Sequence, residues 1–233
     1  MENAILLASG KGTRMYPLTE TIPKPLIKAC GKPFIETLIE GLLYRGVDNI
    51  YIVIGYRKEQ FLYLADKYER ITFIENTKYM TENNISSVYA AREQLRSGSC
   101  LICDSDLFIL DRTMFDAKLT ENCYYTKYVA GPTSDWVFDT DETKHITCIK
   151  HGGHDQYQMI AIAYFTHKGA NDLADAIEYE YGRPGYEDLL WDNVCGRHLQ
   201  EIGVGVYEIS GEQLEECDTQ EELDALERRL RNQ

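Results

Sequence analysis

A stretch near the N-terminus gathers the residue types that a polyphosphate requires. Leu7-Ala8-Ser9-Gly10-Lys11-Gly12-Thr13-Arg14 follows a short apolar run, and Pro23-Lys24-Pro25 comes soon after. Glycines let the backbone approach phosphate oxygens and aim N–H groups at them. Arg14 offers a forked guanidinium and Lys24 a compact charge. The string lacks G-x-x-x-x-G-K-[ST], so it is not a P-loop, and Gly10-x-Gly12 is too short for the dinucleotide fingerprint. Gly10-x-Gly12 alone reads equally well as a turn. The longer string, with Thr13-Arg14, Pro17-Leu18-Thr19 and Pro23-Lys24-Pro25, is far more specific.

A second group of residues suits a divalent cation. Asp104-Ser105-Asp106 closes an apolar run, and Trp191-Asp192-Asn193 offers another carboxylate late in the chain. Mg²⁺ takes hard oxygen ligands, commonly one or two carboxylates completed by substrate phosphates and water. A lone D-x-D is also a frequent cap or turn. Its place at the end of a strand favours a metal role, with Asp106 as first ligand and Asp104 supporting the loop or contacting the nucleotide.

The elements that position these residues alternate in the first half. Apolar runs at 3–9, 50–55 and 99–103 read as buried strands, and 71–74 as a further strand. Helical spacing marks 34–45, closed by Gly46, with further helices at 58–68 and 86–95. This order predicts an α/β fold with a Rossmann-like, mixed but mainly parallel sheet and helices on both faces. Ligands in such sheets bind beyond the carboxyl ends of the strands, where the glycine loop and Asp104–Asp106 both fall. After about residue 120 four shorter strands are expected, at 123–129, 136–139, 145–150 and 158–165. Helices are expected at 169–181, 186–199 and 219–230, with a strand at 204–209 and Asp218 or Thr219 as the last cap. No linker separates two domains, so one domain of residues 1–233 is expected, its nucleotide-binding half at about 1–110 and its acceptor-binding half at about 111–233.

Composition excludes several classes. The 233 residues are 44% hydrophobic, enough for a sizeable core, and carry a formal net charge of −14. That field repels a nucleic-acid backbone. No apolar run is long enough to span a bilayer, and the start lacks a signal-peptide pattern, so a cytoplasmic setting is expected. Seven cysteines form no disulfide framework. Cys100-x-x-Cys103 lies in a strand-like run with no second pair, which argues against zinc. His151-Gly152-Gly153-His154 reads as a hairpin connection rather than a metal pair.

The glycine-loop string resembles the signature of the sugar-phosphate nucleotidyltransferase superfamily. Taken with Gly55-Tyr56-Arg57-Lys58-Glu59-Gln60-Phe61, Asn83-Asn84, Asp104–Asp106, Asp135-Trp136, Leu190–Asn193 and Glu216-Cys217-Asp218, nearly the whole chain resembles the cytidylyltransferases of phosphocholine and 2-aminoethylphosphonate. The resemblance implies the nucleotide-diphospho-sugar transferase type of fold. It implies CTP as donor, a small amine-bearing phosphonate or phosphate as acceptor, and Mg²⁺ at Asp106 and Asp192. Ser9, Gly10, Lys11, Gly12, Thr13, Arg14 and Asp104 would meet the nucleotide, with Ala8 and the Tyr79 to Asn84 region reading cytosine. Arg14, Lys24, Asp106 and Asp192 would form the catalytic set. The resemblance leaves room for a homodimer or a fused partner domain.

The acceptor side divides two readings. A quaternary ammonium is held by aromatic faces, whereas a primary ammonium donates three hydrogen bonds. Trp136 and Trp191 could wall either one, or serve the core. Phosphocholine enzymes carry a Tyr where this chain has Leu190 and an aromatic residue where it has Ser86. Asp139 adds a carboxylate near Trp136, and Glu216 belongs to the same expected acceptor site. Fewer aromatics and more acid favour 2-aminoethylphosphonate over phosphocholine. A sugar-1-phosphate nucleotidyltransferase and a non-catalytic nucleotide sensor stay open as further alternatives.

Overall fold

The structure is a computed structural model that describes residues 1–232. Buried apolar runs form the parallel core of the sheet, β1 (Glu2–Ala8), β4 (Asn49–Ile54) and β6 (Ser99–Asp104), and the partly exposed β5 (Ile71–Glu75) closes its edge, with β2 (Lys28–Ala29) and β3 (Lys32–Pro33) as a two-strand outlier. β1 pairs in parallel with β4 on one side and β6 on the other. The chain therefore reverses its winding around β1, and that switch opens a crevice at the carboxyl ends of β1 and β6. Leu7 lies opposite Asp104 in the β1–β6 register, so the glycine loop and the acidic turn leave the sheet side by side.

The second half extends the same sheet. β7 (Leu107–Ile109) leaves it, then β8 (Cys123–Thr140), β9 (Ile146–Phe165) and β10 (Gly205–Glu208) complete the order β10-β8-β9-β6-β1-β4-β5. β9 runs antiparallel to β6, which makes the seven-stranded sheet mixed. β11 (Leu214–Glu216) pairs with β7 in a separate two-stranded sheet.

Helices cover both faces: α1 (Phe34–Arg45), α2 (Tyr63–Lys67), α3 (Ile85–Ala90), α4 (Arg92–Leu95), α5 (His167–Glu180), α6 (Trp191–Arg197), α7 (Leu199–Ile202) and α8 (Gln220–Arg231). One apolar cluster packs α1 under the sheet around Leu38, Ile39 and Phe115. Another packs α3, α5 and α6 over it around Val88, Phe165 and Trp191. Among the described residues no helix is long and apolar enough to cross a membrane.

Four expected elements take a different form. The four short strands after residue 120 are two long ones, because register shifts near Val129–Pro132 and Thr133–Trp136 absorb the turn residues as bulges. His151–His154 is part of β9, paired across to Pro132, Thr133 and Trp136, and is not a hairpin connection. The expected helix at 58–68 splits into a tight turn at Lys58–Phe61 and α2. The expected helix at 186–199 starts only at Trp191. Glu187 and Leu189 carbonyls accept from the N–H groups of Asn83 and Ile85, which ties that stretch, a tight turn at Tyr186–Asp188 followed by extended Leu189 and Leu190, to the start of α3.

A buried cation locks the sheet to α1. The Arg45 guanidinium pairs with Glu2 at 2.6 Å and donates to the carbonyls of Phe115 and Ala117 at 3.0 and 2.8 Å. Its side chain is 6% exposed. Arg45→Ala strands these acceptors, so it is expected to destabilise the fold by about 3 kcal/mol, read as a lowered denaturation midpoint with an unchanged m-value.

Candidate active site

The glycine loop is held by its backbone. Ser9 O accepts from Tyr56 N–H at 2.9 Å, and Gly12 O accepts from the Thr19 hydroxyl at 3.0 Å. Gly12 has φ 62°, and a Cβ there would sit 2.7 Å from Lys24 Cβ. Only glycine suits that position, because the stem of Lys24 lies directly against it. The Ser9 hydroxyl joins Ser87 at 2.8 Å, and Asn76 Nδ2 donates to Ser86 at 2.9 Å and Ser87 at 3.0 Å. This buried polar knot ties the loop to α3.

Lys24 is the charged centre of the crevice. Its side chain is 6% exposed, and Nζ donates to Asp106 at 2.6 Å and Asp218 at 2.5 Å. Burial works against its charge, but the two carboxylates outweigh that and raise its pKa above the ordinary value. Arg14 reaches the other oxygen of Asp218 from solvent. The pairing Leu107↔Glu216 explains how residues so distant in sequence meet: β11 delivers Glu216 beside Asp106, and the chain continues straight into Asp218.

Asp106, Glu216 and Asp218 offer carboxylate oxygens within 4.8 Å of one another. Burial, then the charges of Asp106 and Asp218, push the Glu216 carboxyl up to about 7. Asp106 Oδ1 is buried without a hydrogen-bond partner. An orphaned hard oxygen inside an acidic group is what a divalent cation would complete.

Two lobes make one cleft. The smaller, about 220 Å³, is walled by the glycine loop, Lys24, Tyr79 and Glu82. The larger, about 740 Å³, is walled by Trp136, Asp135, Gln158, Asp192 and the start of α8. Asn84 and Asp104 line both and mark the junction. Asn84 Oδ1 accepts from Trp191 N–H at 2.9 Å, fixing the start of α6. The first turn of α6 then presents Asp192, whose oxygen accepts from the Tyr124 hydroxyl at 2.9 Å. Burial pushes Asp192 up to about 7. Asp104 lies well above the ordinary carboxylate range through burial and the charges of Asp106, Asp192 and Glu216. A cleft with a cationic, glycine-built end and an acidic end can hold a polyphosphate and stage transfer of one of its phosphoryl groups to a second ligand.

The nucleotidyl transferase family pattern matches residues 3–123, from β1 through the crevice to the start of β8. The chain belongs to the nucleotidyl transferase family. It is 43% identical over 225 residues to a 2-aminoethylphosphonate cytidylyltransferase of Lancefieldella rimae, covering 97% of this chain and 92% of that one. It is 32% identical to a choline-phosphate cytidylyltransferase of Streptococcus pneumoniae, covering 99% of each. A solved CTP:phosphocholine cytidylyltransferase from Streptococcus pneumoniae superposes with a TM-score of 0.90 at 31% identity, over 98% of this chain and 99% of that one.

Within this nucleotidyl transferase, the expected nucleotide residues Ala8, Ser9, Gly10, Gly12, Tyr79, Asn84 and Asp104 share the small lobe with Lys24 and Asp106. Arg14 stands in the larger lobe, while Lys11 and Thr13 are exposed on the loop. Of the expected metal pair, Asp106 groups with Glu216 and Asp218, and Asp192 lies outside that group on the wall of the larger lobe. Three residues expected at the acceptor site do not line the cleft. Trp191 is 1% exposed, stacks in the core on Tyr124 and meets Phe165 edge-on, drawn there by the apolar face of α6. Ser86 is buried, engaged by Asn76 and by Asn83 O. Asp139 does not line the cleft and pairs with Lys150 at 2.6 Å. Asp135 lines the larger lobe instead, accepting from Gln158 Nε2 at 2.6 Å beside Trp136, which packs on His151.

Asp218 is the main residue that sequence reasoning missed as a site group. It shared a cap assignment with Thr219. Thr219 is the cap, in a reciprocal box with Glu222, and this frees the Asp218 side chain for Lys24 and Arg14.

Proposed function

We propose that this nucleotidyl transferase moves CMP from CTP to 2-aminoethylphosphonate and releases pyrophosphate. CTP occupies the small lobe with its phosphates over the glycine loop, and the acceptor enters the larger lobe. A phosphonate oxygen attacks the α-phosphorus in line, forming a new P–O bond as the α–β bridge breaks and pyrophosphate departs. Lys24 and Arg14 counter the charge that gathers on the phosphates. To do so they exchange Asp218 for the incoming triphosphate. Mg²⁺ is the proposed cofactor, with Asp106 and Asp192 as its ligands and Glu216 and Asp218 nearby; it would supply neutralising charge and align donor with acceptor. Asn84 and Asp104 hold the junction where the reacting groups meet. A cytoplasmic setting fits the free thiols of all seven cysteines.

The acceptor reading rests on one observation above all: among the described residues Trp136 is the only tryptophan lining the cleft, and Asp135 stands next to it. A single aromatic wall with a carboxylate suits a primary ammonium, which can donate to both. A trimethylammonium cannot donate and needs more aromatic surface. Pyrophosphate release with CTP and Mg²⁺, compared across 2-aminoethylphosphonate, phosphocholine and phosphoethanolamine, tests this. A kcat/KM at least tenfold higher for 2-aminoethylphosphonate than for phosphocholine, about 1.4 kcal/mol, is expected. A preference for phosphocholine rejects the assignment. Asp135→Asn is expected to lower kcat/KM for the primary amine about tenfold while changing phosphocholine use less than threefold.

A further inference from the structure

Glu82 sits on the wall of the small lobe in an arrangement that the phosphate chemistry does not use. Its two carboxylate oxygens are held separately. Oε2 accepts from the Tyr181 hydroxyl at 2.7 Å and Oε1 from the Tyr186 hydroxyl at 3.0 Å. Tyr181 stacks on Tyr89 of α3 with ring centroids 3.7 Å apart. The segment that carries both tyrosines is itself pinned to the residues after Glu82: Asn83 N–H donates to Glu187 O at 2.7 Å, and Asn83 Nδ2 to Asp188 O at 3.3 Å. The same segment runs directly into α6 and Asp192.

A surface glutamate normally swings freely and loses side-chain entropy when fixed. Here two phenols and a stacked ring hold it in place at the rim of a nucleotide lobe whose other wall is cationic. A carboxylate offers about four lone-pair sites, and the tyrosines occupy two. The free acceptor sites suit a ligand group with an N–H donor and oppose one with a carbonyl oxygen. Among pyrimidines, cytosine presents an exocyclic amine where uracil presents a carbonyl, and a glutamate that accepts from cytosine N4 is an established pairing chemistry.

We infer that Glu82, oriented by Tyr181 and Tyr186, is a specificity-determining residue that selects cytosine over uracil in the nucleotide lobe. This rests on the CTP reading above. Glu82 accepts a hydrogen bond from the N4 amine of CTP and repels O4 of UTP; Tyr181 and Tyr186 are positioning residues that keep the carboxylate from turning away. Because their segment continues into α6, a correctly read base and a correctly placed Asp192 depend on the same stretch of chain.

The test is the ratio of kcat/KM for CTP to that for UTP, measured by pyrophosphate release with 2-aminoethylphosphonate and Mg²⁺. Glu82→Gln replaces one acceptor oxygen by a donor amide. It is expected to lower the ratio at least tenfold, with UTP use rising as CTP use falls. The Tyr181→Phe/Tyr186→Phe double variant keeps Glu82 but frees it, and is expected to lower the ratio about threefold to tenfold. A residue with a merely structural role would reduce both nucleotides equally and leave the ratio alone. A wild-type preference for CTP that persists within twofold in Glu82→Gln overturns this inference and leaves the CTP reading standing. A wild-type enzyme that uses UTP as well as CTP overturns the CTP reading itself. If Glu82→Gln does not fold, the ratio in the double variant decides, with an unchanged ratio overturning the inference.

Discussion

Lys24→Met is expected to lower kcat/KM for pyrophosphate release by about a thousandfold, close to 4 kcal/mol of transition-state stabilisation. The side chain is buried between the glycine loop and two carboxylates, so its charge acts in a medium that screens it weakly. Methionine keeps the apolar stem that fills the space against Gly12, where a Cβ would already sit within 2.7 Å of Lys24. The loss therefore comes from the ammonium and not from a collapsed loop. Removing it leaves Asp106 and Asp218 without their shared cation. Nucleotide binding should weaken along with turnover, seen as a reduced thermal shift on adding CTP. A Lys24→Met enzyme within tenfold of wild type would mean that the phosphates are neutralised elsewhere.

Asp106→Asn carries the second large effect. Turnover is expected to fall at least a thousandfold, and the Mg²⁺ concentration for half-maximal activity should rise. Stability should move the other way or not at all. Asp106, Glu216 and Asp218 are crowded within 4.8 Å, and the charge on Asp106 contributes to pushing Glu216 up to about 7. Removing one of these charges relieves repulsion while Lys24 keeps Asp218. A melting temperature equal to or above wild type, combined with lost activity, is the signature of a group kept for function against stability. A lowered melting temperature with normal Mg²⁺ dependence would instead make Asp106 a structural partner of Lys24.

The parallel half of the fold was legible because three of its strands, β1, β4 and β6, are continuous buried runs and its helix α1 carries a clean apolar face with Gly46 as stop. The glycine loop, Lys24 and Asp106 were legible for a related reason: they follow strands β1 and β6, and the sheet dictates where strand ends point. The acceptor half was harder. Its turn residues, Gly131, Pro132, Gly152 and Gly153, look like loop punctuation, yet they sit in bulges of two long strands. Bulges shift which side chains face the cleft, so spacing from Trp136 selected Asp139 where Asp135 is the cleft residue. Trp191 and Ser86 lie off the cleft lining for another reason. Both lie in or near short helices whose inner faces only tertiary packing defines. Asp218 was hidden by a neighbour that makes an equally good cap.

The identity of the product decides which acceptor the enzyme uses. ³¹P NMR of the enzyme with CTP, Mg²⁺ and equal concentrations of 2-aminoethylphosphonate and phosphocholine reads it directly. A new phosphonate resonance coupled to a CMP phosphorus is expected, growing in step with pyrophosphate, while the phosphocholine signal stays in place. Accumulation of the phosphocholine adduct first, or pyrophosphate without any phosphonate adduct, would contradict it.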